Sequence, residues 1–181
     1  LQPHFLLNSL NTISALSGTK PQEARTMIHQ LSDFFRGVLK KDDQQLISLS
    51  EELEHLTLYL EIEKVRFGHR LRTDIDCEKT ALTLKLPSLL LQPVVENAIK
   101  FGLYDTIGET VIRIRASSSD NCLKISVENP FDPTSAPRRG TGFGLNSIQR
   151  RLHLLYARND LLMTSSTDSV FTTNIKIPQT T

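Results

Sequence analysis

The chain has 181 residues, 39% of them hydrophobic and 23% charged, the balance of an ordinary globular protein long enough for one domain or two small ones. Lys and Arg number 21 against 20 Asp and Glu, so no field is strong enough to make nucleic acid or an anionic lipid surface the main partner. Its two cysteines, Cys77 and Cys122, form no CxxC pair and support neither a zinc site nor a disulfide framework, which fits a reducing compartment.

The opening Leu1-Gln2-Pro3-His4-Phe5 reads as the middle of an element, and no apolar run reaches the length of a membrane span. The expectation is a piece of a longer protein. Apolar residues then recur with helical spacing at Leu6, Leu10 and Ile13, and again at Ile28, Leu31, Phe35 and Val38, predicting helices near 4–16 and 22–40. Gly18-Thr19-Lys20-Pro21 separates them, with glycine closing one helix and proline suited to opening the next. Ser48 or Ser50 caps a third helix, Glu51 completing a capping box with Ser48, and Gly68 ends it. From about Leu71 the texture alternates. Leu82, Leu84, Leu86, then Val111, Ile112, Ile114, then Leu123, Ile125, Val127, and finally Phe171 to Ile177 have strand periodicity. Two helical patterns, 88–101 and 145–156, lie among them, so the second half predicts a sheet covered on one face by helices and the whole an α+β protein.

Two segments carry chemistry. In Gln92-Pro93-Val94-Val95-Glu96-Asn97-Ala98-Ile99-Lys100, a helix brings a carboxylate, an amide and an ammonium to adjacent parts of one side. That trio suits a nucleoside triphosphate: Asn97 completes an octahedral Mg²⁺ shell, Lys100 meets phosphate and Glu96 accepts a proton. In Arg138-Arg139-Gly140-Thr141-Gly142-Phe143-Gly144-Leu145-Asn146, glycines run straight into a helix, where backbone N–H groups and the helix dipole favour phosphate.

Taken together, the Glu96-Asn97 helix, a strand ending at Asn129, a basic Pro-containing loop, the glycine turn and a closing helix resemble the Bergerat-type ATP-binding domain shared by histidine kinases, gyrase, Hsp90 and MutL. The first helix narrows the likeness. Leu1-Gln2-Pro3-His4-Phe5-Leu6-Leu7-Asn8-Ser9-Leu10-Asn11 resembles the phosphoacceptor motif of LytS/YehU-type sensor histidine kinases, and Leu49-Ser50-Glu51-Glu52-Leu53, Tyr59-Leu60-Glu61-Ile62-Glu63 and Arg66-Phe67 resemble the stretch that follows it in that family.

The resemblance implies a helical dimerisation and phosphoacceptor region at 1–68 and an ATP-binding domain at 69–181, hinged near Phe67-Gly68-His69-Arg70. His4 is then the phosphoacceptor, helped by Asn8 one turn on, with Glu96 as general base and Asn97 as the Mg²⁺ ligand. Lys100, Arg138, Arg139, Gly140, Gly142, Gly144 and Leu145 surround the ATP phosphates, and Asn129 and Thr172 meet adenine. The partners implied are a second copy of the chain and a response regulator, and the place is the cytoplasmic side of a bacterial membrane protein whose spanning segments lie upstream. The sequence departs from the family pattern in three places. Asn129-Pro130-Phe131-Asp132-Pro133 stands where many kinases have Asp-x-Gly-x-Gly, Phe101 stands where a histidine is common, and Val170-Phe171-Thr172-Thr173 lacks a glycine. Two other readings compete: a dimeric scaffold that binds nucleotide without transferring phosphate, and an ATP-hydrolysing clamp in which Glu96 activates water.

Overall fold

The computed structural model describes residues 3–40, 45–104, 108–132 and 143–179. Three helices come first: α1 (Pro3–Thr19), α2 (Pro21–Lys40) and, after the short strand β1 (Leu46–Ser48), α3 (Leu49–Phe67). Ser48 caps α3. Its hydroxyl accepts from the Glu51 N–H at 3.3 Å while the Glu51 carboxylate accepts from the Ser48 N–H at 2.8 Å, the reciprocal capping box read from the sequence. Gly68, at φ 59, ends the helix in a conformation that a side chain would strain.

The apolar stripes read from the sequence on α1 and α2 are partly buried: Leu31 is in the core, and Ile13, Phe35 and Val38 pack against it. Phe5 and Ser9 face inward on α1, and Ala24, Met27, Leu31 and Phe34 on α2, while Leu6, Leu10 and Ile28 are 39%, 50% and 50% exposed. Phe5, Phe34 and Tyr59 explain the choice. Their rings meet at centroid distances of 5.2 Å (Phe5–Phe34) and 5.1 Å (Phe5–Tyr59), pinning all three helices to one aromatic cluster and turning Leu6, Leu10 and Ile28 outward.

After a short 3-10 turn, β2 (Leu71–Cys77), β3 (Lys85–Pro87), α4 (Leu91–Tyr104), β4 (Thr110–Ser119), β5 (Cys122–Pro130), α5 (Phe143–Tyr156), β6 (Leu162–Ser166) and β7 (Val170–Pro178) complete the described chain. Five of these strands form a mixed sheet in the order β2-β4-β5-β7-β6, parallel only between β2 and β4. Asp120 and Asn121 both have φ 54, the positive values that a two-residue hairpin between β4 and β5 requires. Ile112, Ile114, Leu123, Ile125, Val127, Ile175 and Ile177 point to the helix-covered face and join one core with α4, α5 and the N-terminal helices. The α+β architecture with helices on one face of a mixed sheet agrees with the sequence.

The alternation Leu82-Leu84-Leu86 does not make a long strand. Only Lys85–Pro87 is extended, pairing with β1, because residues 79–83 form turns held by Ala81 N–H to Glu78 and Leu84 N–H to Ala81. Likewise α4 begins at Leu91, not 88: Leu89, at φ 56, sits in the left-handed region and cannot be helical. Pro93 falls in the first turn, where its missing N–H costs nothing.

Gly102 fixes how closely α4 lies on the sheet. A Cβ there would stand 2.6 Å from Thr110 Cγ2, and the fully buried Thr110 is itself locked by its hydroxyl donating to the Gly102 carbonyl at 2.8 Å. Alanine would gain roughly 1 kcal/mol of helix propensity but cost about 2–3 kcal/mol of overpacking. We therefore expect Gly102→Ala to lose about 1–2 kcal/mol net, measurable as a lowered midpoint in thermal unfolding followed by far-ultraviolet circular dichroism.

Candidate functional site

Helix α1 presents His4 and Asn8 one turn apart, α3 presents Tyr59, Glu63, Arg66 and Phe67, and α4 presents Glu96, Ile99 and Lys100. These side chains line a single cavity of about 520 Å³. His4 is exposed at its mouth, whereas Tyr59 and Glu63 are buried at 3% exposure each. The cavity thus collects an imidazole, two carboxyls, two cations, a phenol and an amide, one chemical type for each task in moving a phosphoryl group and a proton.

Burial dominates the electrostatics. It pushes Glu63 up to about 7, a rise that the Arg66 guanidinium, 3.6 Å away, opposes and the Glu96 carboxylate reinforces. Burial also raises Glu96, against the opposing hydrogen bond that the Gln92 amide donates to it at 2.8 Å. Tyr59 is held well above its ordinary value by burial and then by the negative charges of Glu63 and Glu96, so it stays a neutral donor.

Behind the cavity runs a buried polar chain. His55, stacked on Phe34 at 4.9 Å, has Nε2 3.3 Å from Gln92 Oε1, and Gln92 in turn donates to Glu96. One turn before His55, the Glu52 carboxylate, 1% exposed, accepts the N–H groups of Leu89 and Leu91 at 2.9 Å each. Helix α3 therefore caps α4 and also orients its functional face.

The residues singled out by sequence fall into three groups. His4, Asn8, Glu96 and Lys100 meet in the cavity. Asn97, beside Glu96 but about 100° further round the helix, is half-buried and does not line it, so the expected trio divides between two sides of α4. A second set lies toward the other side of α4. Gly144, second residue of α5, lies where a Cβ would be 3.9 Å from the Pro93 carbonyl, so the α5 N-terminus abuts the start of α4, and Leu145 packs on the core. Asn129 closes the inward-facing series of β5, is 2% exposed and donates from Nδ2 to the Pro130 carbonyl at 2.8 Å. Thr172 pairs with Glu128 and so lies on the sheet face opposite Asn129; Thr173 shares the Asn129 face and is buried, because side chains alternate along a strand. Arg138, Arg139, Gly140 and Gly142 lie outside the described residues. Phe101 sits beneath Lys100, whose Nζ is 5.7 Å from the ring centroid.

Sequence reasoning assigned no chemistry to Glu52, Tyr59, Glu63, Arg66 or Gln92. Positions 52, 55, 59, 63 and 66 recur at three- and four-residue steps on the face of α3 that also carries Leu56 and Leu60, and that register was the available signal. Among the described residues no group of three or more His, Cys, Asp or Glu side chains could hold a metal ion.

The chain is similar to known proteins in both sequence and fold. Residues 1–71 match the histidine kinase family model. The chain is 35% identical over 152 residues to the sensor histidine kinase BtsS of Escherichia coli K12, covering 84% of this chain and 27% of that protein. It is 32% identical over 182 residues to the sensor histidine kinase/phosphatase LytS of Staphylococcus aureus MRSA252, covering 93% and 31% respectively. The chain therefore spans about a quarter to a third of the length of these relatives. In fold, it resembles the catalytic domain of histidine kinase ThkA at TM-score 0.56 and 18% identity, covering 75% of this chain and 95% of that one. It also resembles the Acinetobacter baumannii histidine kinase AdeS at TM-score 0.58 and 12% identity, covering 88% and 80%. With identity above 30% along more than four-fifths of its length and a sheet-and-helix layer shared with solved kinase structures, the chain belongs to the sensor histidine kinase family.

Proposed function

We propose that this chain is the cytoplasmic core of a membrane-bound sensor that moves the γ-phosphoryl group of ATP onto His4 and then to an aspartate of a response regulator. The observation that carries the reading is the shared cavity: His4 from α1 opens into the same space as Glu96 and Lys100 from α4. A neutral imidazole nitrogen is a competent nucleophile near neutral pH, and phosphoryl transfer is governed by positioning and charge neutralisation more than by covalent chemistry. Lys100 supplies positive charge on the cavity side, and the first turn of α5, whose Gly144 lies against the Pro93 carbonyl, is the anion site, because helix N-termini favour phosphate. The nucleotide then lies between α4 and α5, with adenine toward Asn129. The division of the protein into an acceptor region at 1–68 and an ATP domain at 69–181 belongs to the same proposal.

The donor set fits magnesium. Mg²⁺ keeps several waters and takes one or two protein oxygens together with the phosphates, so a single Asn97 amide oxygen, with no acidic cage among the described residues, is the expected arrangement. When bound, the ion neutralises charge on the phosphates. Exposed Leu6, Leu7, Leu10 and Ile28 on α1 and α2 are the surface for a second copy of the chain. No helix among the described residues is long and apolar enough to cross a membrane, so the tie to the membrane is assigned to other parts of the full-length protein.

The test is incubation with γ-labelled ATP and Mg²⁺. Acid-labile, base-stable label on the wild type, absent in His4→Gln and Asn97→Asp, is the expected result. Label undiminished in His4→Gln would overturn the acceptor assignment. ATP binding with no label in the wild type would favour the scaffold reading, which the use of the Asn129 amide on its neighbour's carbonyl supports.

A further inference from the structure

The cavity holds two carboxyls, and the family resemblance assigns a role to only one of them. Glu96 is carried by α4. Glu63 is carried by α3, which packs against α1 through the ring contact of Phe5 with Tyr59, so Phe5 and Tyr59 tie together the chain neighbour of His4 and the residue one turn before Glu63. Whatever displacement brings the nucleotide up to His4, the relation of Glu63 to the acceptor is set inside the helical layer, whereas that of Glu96 is set by the packing of α4 on α3. A carboxyl that must serve the imidazole throughout the reaction is better placed on α3.

We propose that Glu63 is the carboxylate that holds the protonated ring nitrogen of His4 and receives its proton during phosphorylation. The proposal rests on the kinase reading above. In the step, the unprotonated ring nitrogen bonds to the γ-phosphorus. The bond from that phosphorus to the bridging oxygen breaks, its electron pair leaving with ADP. The proton on the other ring nitrogen passes to Glu63. Until then the carboxylate fixes the tautomer that leaves the attacking nitrogen free. Every charged or titratable group lining the cavity around Glu63 bears on this: His4 from α1, Tyr59 and Arg66 from its own helix, and Glu96 and Lys100 from α4. Arg66 balances its charge at 3.6 Å, and burial leaves Glu63 poised at about 7, where a group both accepts and releases a proton readily.

The experiment is the initial rate of labelling from γ-labelled ATP and Mg²⁺ between pH 5.5 and 9 for the wild type, Glu63→Gln, Glu63→Asp and Arg66→Gln, with ATP affinity measured alongside. In the wild type the rate should rise with pH through about 7. Glu63→Gln, of nearly the same shape, should keep ATP affinity within about threefold, fall about 100-fold in rate and lose that rise, as removal of a proton acceptor does. Glu63→Asp should recover part of the rate. Arg66→Gln leaves Glu63 in place, so it tests the idea even where a substitution at 63 unfolds the chain. Removing the cation raises the carboxyl further, so the rise should move to higher pH. An unmoved rise in Arg66→Gln, or a Glu63→Gln rate within threefold of wild type with the same pH profile, overturns the proposal, as does a loss of rate matched by an equal loss of ATP affinity. Wild type without label at any pH removes the kinase reading itself, and this inference with it.

Discussion

Glu52→Ala is expected to lower the stability of the chain by about 3–4 kcal/mol, read from urea unfolding followed by far-ultraviolet circular dichroism because the chain has no tryptophan. The carboxylate is 1% exposed and accepts two backbone N–H groups at 2.9 Å from residues 37 and 39 positions away. Hydrogen bonds to a charged group are worth about 1.5–3 kcal/mol each, and deletion leaves two donors at a helix start without their acceptor. Strain at Leu89 does not add to the loss, because the wild type already carries it. The φ of 56 there costs on the order of 1–2 kcal/mol for a side chain of that size and persists because the Leu89 N–H is held by Glu52. Glu52→Gln keeps one acceptor oxygen and should lose about half as much. A loss under 1 kcal/mol in the alanine variant would mean that water replaces the carboxylate and that α3 does not hold the start of α4.

Glu63→Gln should do the opposite to stability while impairing function. Folding raises the Glu63 carboxyl from 4.5 to about 7, chiefly by burial. A group raised in this way contributes fully below its unfolded value of 4.5, and the contribution disappears as pH climbs through about 7. The difference of about 2.5 units corresponds to about 3 kcal/mol above pH 7, since one unit is about 1.4 kcal/mol. Glutamine imitates the protonated form at every pH. The variant should therefore be within about 1 kcal/mol of wild type at pH 5 and about 3 kcal/mol more stable at pH 8, a rise of roughly 6–10 °C in Tm. A Tm difference that does not grow between pH 5 and pH 8 would show that Glu63 ionises in the folded chain as it does in the unfolded one.

Much of this was legible where the determining contacts are local. The capping box at Ser48 and Glu51 needs only residues three apart, and the pairing of His4 with Asn8 only residues four apart. The strand face of Ile112, Ile114, Leu123, Ile125 and Val127 followed from alternation. Legibility ended where a local pattern admits two outcomes. Helix α2 carries apolar residues on more than one stripe, and only the rings of Phe5 and Tyr59, brought from elsewhere, select Met27, Leu31 and Phe34 over Ile28. Glu52, Tyr59, Glu63 and Arg66 belong to a family motif, yet acidic and basic residues on a helix read as a solvated face until the neighbouring helices bury them. Thr172 and Thr173 differ by one position, and strand register alone decides which shares a face with Asn129.

The capping of α4 by α3 also sets an order of assembly. The start of α4 is completed from a distance, by Glu52, and the same stretch supplies β1, whose Ile47 pairs with Leu86 while the Gln45 carbonyl accepts from the Ser88 N–H. Loop closure must therefore precede the first turn of α4, which places this helix among the late, non-local events of folding. During synthesis α3 leaves the ribosome first and waits as a template. A chain severed at the 68/69 junction would carry the glutamate-asparagine helix without the carboxylate and the strand that hold its first turn.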